Sequence, residues 1–197
     1  GARSYGGGLN DCNPKNLYRL KSTNVGKMSK LETLNKIIDD SIYNEKIIIE
    51  AGHGLNKECW SPIPENIIYK HFEYIHTKQK YLWCTTMVNI IKYIIQRNNT
   101  EVIQKTINNT IQISFKRKIV FNFDLIPLTF SFLVPNGKTI KYCKQNKKHI
   151  SIYKNNELFF IKIKDFDNQI LMKVIGNKTK KNKYKLKQTI NTNHDLL

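Results

Sequence analysis

The sequence predicts an α/β domain with a parallel sheet, followed by a small antiparallel all-β domain. Three observations carry that prediction. Between residues 29 and 95, three stretches with helical apolar spacing alternate with two short apolar runs. After about residue 100 the apolar period shortens to two. Turn-forming residues then separate the alternating runs.

Residues 1–26 read as loop, punctuated by Gly6, Gly7, Gly8 and Pro14. Ser29 is placed to cap a first helix, with Glu32 three positions on as in a capping box. Leu31, Leu34, Ile37, Ile38 and Ile42 follow on one face. Ile47–Ile49 is a β-branched run bounded by Gly52 and reads as a buried parallel strand. His53 therefore falls just past that strand's C-terminal end, where α/β folds gather their chemistry. Pro64 opens a second helix to about Gln79, with Ile67, Ile68, Phe72 and Ile75 inward. Tyr81–Cys84 reads as a second strand. Thr85 or Thr86 caps a third helix carrying Val88, Ile91, Ile94 and Ile95.

The alternating runs are Ile111/Ile113, Ile119/Phe121/Phe123, Phe130/Phe132/Val134, Ile150/Ile152 and Phe159/Ile161/Ile163. Pro135-Asn136-Gly137 and Asn155-Asn156 supply turns. The expected organisation is residues 1–98, 99–175 and a basic, disordered tail at 176–197.

The chain has 197 residues and a formal net charge of +18. Residues 1–98 hold 14 Lys/Arg and 9 Asp/Glu, a net +5, and the rest carries +13. Such a charge attracts nucleic acid, anionic glycan or an anionic membrane face. The abundance of Lys, Asn and Ile throughout also fits AT-rich coding, and no nucleic-acid motif appears, so no specific nucleic acid is expected as partner. No run of about 18 apolar residues occurs, so no transmembrane segment is expected. Cys12, Cys59, Cys84 and Cys143 form no CxxC pair, and free thiols are the default. His71 and His76 are five apart, off the spacing for ligands on one helix face. They read as ordinary helix positions, and His149 and His194 as surface residues.

Residues 46–97 carry an apolar strand ending near His53, a loop with Trp60, a helix with His71-Phe72, a short segment with Trp83, and a helix ending in Tyr93 and Arg97. In that order they resemble the end of a polysaccharide deacetylase catalytic domain. Gly1–Tyr5 resembles that family's arginine motif, and residues 124–134 resemble an attached β segment. The resemblance implies the second half of a distorted β/α barrel and hydrolysis of an acetyl amide or ester on a polysaccharide. It implies His53 as general acid and Arg3 as the partner of the base carboxylate. Trp60 and Tyr5 are then substrate-binding, an acetylated polysaccharide or cell-wall glycan is the partner, and the setting is extracellular or cell-envelope. The family's divalent metal (zinc or similar) is held by motifs with no counterpart here. The chain is thus expected to hold no metal and to be inactive alone, as a fragment. A catalytically dead carbohydrate-binding protein is the alternative, and a basic nucleic-acid-binding module a further one.

Overall fold

A computed structural model describes residues 1–55, 59–134, 137–155, 158–176 and 185–188. It divides into two compact units, Gly1–Ile91 and Lys92–Ile190. The first unit holds strands β1 (Arg3–Tyr5), β2 (Leu20–Asn24) and β3 (Glu50–Ala51), with helices α1 (Leu31–Tyr43) and α2 (Glu65–Thr77). Helix α3 (Met87–Asn98) contains the division. The second unit holds β4 (Thr100–Ile107), β5 (Thr110–Arg117), β6 (Leu128–Leu133), β7 (Lys138–Gln145), β8 (Lys148–His149), β9 (Tyr153–Asn155), β10 (Leu158–Ile163), β11 (Ile170–Gly176) and β12 (Lys185–Gln188).

In the first unit a parallel sheet runs β1-β2-β3. Val25, Leu34 and Ile63 form its core, with Ile67 and Ile68 packed against them. Helix α1 starts at Lys30 with no side-chain cap. The expected capping box does not form, because the Ser29 hydroxyl instead accepts the Gly26 N–H at 3.0 Å in the preceding turn. Helix α3 is capped as anticipated, with Thr86 Oγ1 accepting the Asn89 N–H.

The expected half of a β/α barrel is overturned. The described strands make three sheets and close no barrel. Two local reasons stand out. Ile47–Ile49 gives only the antiparallel bridge Asn10↔Ile47 and then the two-residue strand Glu50–Ala51. Tyr81–Cys84 forms no strand at all. The N–H groups of Tyr81 and Leu82 donate to Lys78 and Gln79 carbonyls, in turns that leave α2. Those donors are spent locally and cannot enter a ladder.

The second unit has two antiparallel sheets, β4-β5-β11-β7-β8 and β12-β6-β10-β9. Phe115 of the first lies 5.1 Å from Phe130 of the second, ring to ring. Ile111, Ile113, Ile170, Met172 and Cys143 are buried on one face of the five-stranded sheet. Leu128, Phe130, Ile161 and Ile163 are buried in the other sheet. The β4–β5 and β7–β8 loops are two residues long, and Asn108, Asn109, Asn146 and Lys147 all take positive φ there. Positive φ at both positions is the geometry whose twist suits a tight hairpin.

Two alternating runs do not become strands. Ile119–Phe123 lies in the irregular β5–β6 connection. That connection is held by the buried Gln96 side chain, which bonds both the N–H and the C=O of Ile126. Ile150 and Ile152 fall between β8 and β9. The predicted turn positions 135–136 and 156 lie outside the described residues. In the predicted tail, Lys185–Gln188 forms β12 beside β6, and positions 177–184 and 189–197, including His194, lie outside the described residues.

Candidate functional site

His53 lies two residues beyond β3, in a segment braced by its glycines. A Cβ on Gly52 would stand 2.6 Å from Ile63 Cδ1 and 3.0 Å from the Val25 carbonyl. Gly54 takes a φ of 145°, and a Cβ there would meet Cys59 Sγ at 2.9 Å. The imidazole is exposed. It meets Trp60 edge-on, with centroids 4.9 Å apart and planes at 87°. Trp60 is itself 73% exposed. Two of the four expected site residues are therefore in contact, both open to solvent.

The other two are placed differently. Arg3 opens β1 opposite Leu20, whereas Ala51 closes β3 opposite Asn24. In a parallel sheet that four-residue offset is about 13 Å along the strand at ~3.3 Å per residue. His53 lies further on, and β2 stands between β1 and β3. Arg3 and His53 are thus at opposite ends of the sheet and are not brought together. Tyr5 ends β1 at the level of Ser22.

The sequence reading missed the cluster below His53. His71, read as an ordinary helix position, has no exposed surface. Its Nδ1 lies 2.8 Å from Asn35 Oδ1 and its Nε2 lies 2.9 Å from Glu50 Oε1. Both ring nitrogens are engaged by side-chain partners, and the bond to the Glu50 carboxylate is charge-assisted through its acceptor. The cluster ties α2 to α1 and to β3. Phe72, expected inward, is 59% exposed. Positions 71 and 72 both continue the Ile67/Ile68 stripe, and the polar partners at Asn35 and Glu50 select 71. The Glu50 charge also acts on Cys84, a residue exposed at its surface, whose thiol is raised from its ordinary value by partial desolvation first and then by that charge. His76 and His149 are exposed.

Among the described residues, no group of three or more His, Cys, Asp or Glu side chains gathers as a metal-ligand set. Both His71 nitrogens are already engaged, which removes the best single donor. None of the four cysteines forms a disulfide. No helix among the described residues is long and apolar enough to cross a membrane.

Comparison of the chain with protein-family models found no match, and searches of curated proteins and of solved structures found none.

Proposed function

We propose that His53 and Trp60 belong to a carbohydrate deacetylase acting on an acetylated polysaccharide. His53 gives its proton to the departing sugar nitrogen or oxygen, and Trp60 offers an aromatic face to the apolar side of a sugar ring. The observation that carries this reading is their edge-on contact past the end of a parallel strand, with both rings exposed. The order of motifs over residues 46–97 supports it. The described residues of this chain contribute proton transfer and stacking, and no step through a metal is assigned to them.

The test uses a protein that carries this chain together with the deacetylase metal motifs. Acetate release from acetylated chito-oligosaccharide or xylan is measured. His53→Ala should lower turnover by ~10²–10⁴-fold without changing the circular dichroism spectrum. Full activity in that variant refutes the assignment. A second reading, a carbohydrate-binding protein without catalysis, is favoured because the described residues gather no metal-ligand set. It predicts binding of the same oligosaccharide by the 197-residue chain, lost in Trp60→Ala, with no acetate released from any form.

A further inference from the structure

The five-stranded sheet of the second unit has one face built of buried apolar residues. The opposite face follows from the register. Lys105 pairs Gln112, Gln112 pairs Leu171, Leu171 pairs Lys144, and Lys144 pairs His149. Cross-strand partners share a face. Each member of this row that lies on β5, β11 or β7 sits beside a buried neighbour, Ile111, Met172 or Cys143. The row therefore points away from the core, across all five strands. The next row adds Thr110, Lys173 and Tyr142. Lys144 Nζ lies 5.0 Å from the Tyr142 ring centroid, and Tyr142 meets His149 edge-on at 6.4 Å.

Charge on this face is one-sided. Among the described residues, Lys105, Lys116, Lys144 and Lys173 share this face with one acid, Glu101, which pairs with Lys116, and with the exposed Ile103 and Ile107 at the β4 edge. Amide and hydroxyl groups of Gln112, Thr110 and Ser114 lie between the amines. Neighbouring strands are ~4.8 Å apart, so Lys105 and Lys144 stand about 14 Å apart along the row.

We infer that this outer face is a binding surface for an anionic polysaccharide. A uronic-acid chain offers what the face lacks, regularly spaced carboxylates, together with hydroxyls for the amide and hydroxyl side chains. Its ring repeat is close to the strand spacing, so a chain laid along the row meets a new strand at about every sugar. Nucleic acid is the poorer fit. Single strands bind on successive aromatic platforms, and this face has the one tyrosine, whose ring is already met by Lys144 and His149. The inference rests on the second unit alone and stands or falls apart from the deacetylase reading.

The test is the affinity of the 197-residue chain for polygalacturonate oligomers, with their fully methyl-esterified forms as the uncharged comparison. Lys105→Gln/Lys144→Gln/Lys173→Gln should weaken binding roughly tenfold or more. Lys27→Gln/Lys30→Gln/Lys36→Gln removes the same charge from exposed sites of the first unit and should leave binding within about twofold. The corresponding Lys→Arg triple at the face should retain it. If the Gln triple does not fold, Lys105→Gln/Lys144→Gln takes its place. The inference is overturned by any of four results: no binding of polygalacturonate, equal binding of the esterified form, equal losses in the two Gln triples, or tighter binding of single-stranded or duplex DNA at the same salt.

Discussion

Replacing His71 by Leu tests the buried cluster directly. The imidazole has no exposed surface and holds Asn35 and Glu50 at 2.8 and 2.9 Å. A hydrogen bond to a charged group is worth ~1.5–3 kcal/mol net and a neutral one ~0.5–1.5 kcal/mol. Leu fills a similar volume, so the cavity contribution is small. Glu50 keeps 21% of its side chain in solvent, so its stranded carboxylate costs less than a fully buried one. The sum is about 3 kcal/mol. Glu50→Gln should couple to it by ~1–2 kcal/mol in a double-mutant cycle, because the two changes remove one shared interaction. Both tryptophans, Trp60 and Trp83, lie in the first unit. Urea unfolding followed by tryptophan fluorescence therefore reports the unit that contains His71. A His71→Leu cost below about 1 kcal/mol, or a coupling near zero, would refute the reasoning.

Two further outcomes follow from the local electrostatics. Burial pushes the Cys143 thiol up to about 12, so in native protein it should resist a disulfide reagent at pH 8 while the exposed Cys84 reacts, and only urea should release Cys143; mass spectrometry of labelled peptides decides, and native labelling of Cys143 as fast as Cys84 contradicts the burial. The Tyr74 hydroxyl first, at 2.6 Å, and then Lys78 hold the Asp39 carboxyl below its ordinary 3.8; a depressed folded value stabilises above 3.8 and is lost as pH falls through it, so Asp39→Asn should cost under about 1 kcal/mol at pH 7, with a gap to wild type that shrinks below pH 3.8 and whose persistence there would exclude the linkage.

Much of the local structure was legible because period and burial coincide where a segment packs on one neighbour. Leu34 and Ile38 in α1, Ile111 and Ile113 in β5, and Ile161 and Ile163 in β10 are buried as their spacing requires. The failures have a common cause. Periodicity reports which side chains share a face and is silent on where backbone donors go. Tyr81–Cys84 is apolar enough for a strand, but its first donors are consumed by turns leaving α2. Phe121 and Phe123 keep the alternation of a strand, with rings 5.4 Å apart, in a connection that Gln96 ties by side-chain bonds. Sheet membership is decided by the partner strand, which no single segment carries.

The site divides along the same line. His53 was legible because glycines flank it and an apolar run precedes it, both local features. His71 was not, since its meaning depends on Asn35, 36 residues earlier, and Glu50, 21 residues earlier. Yet the two histidines are linked through three residues of chain. Glu50 is fixed by His71. Ala51 accepts the Val25 N–H at 2.9 Å. Gly52 fits under Ile63 with no room for a side chain. His53 then leaves a backbone held at each preceding position, and the Gly54 carbonyl accepts the Ile63 N–H at 3.0 Å just after it. An exposed ring on a braced backbone keeps its direction at less entropic cost than one on a free loop. In this arrangement the buried histidine orders the strand from whose end the exposed one projects. The His71→Leu protein should accordingly show a shifted His53 ring resonance and a weakened Trp60 contact under conditions where the first unit remains folded.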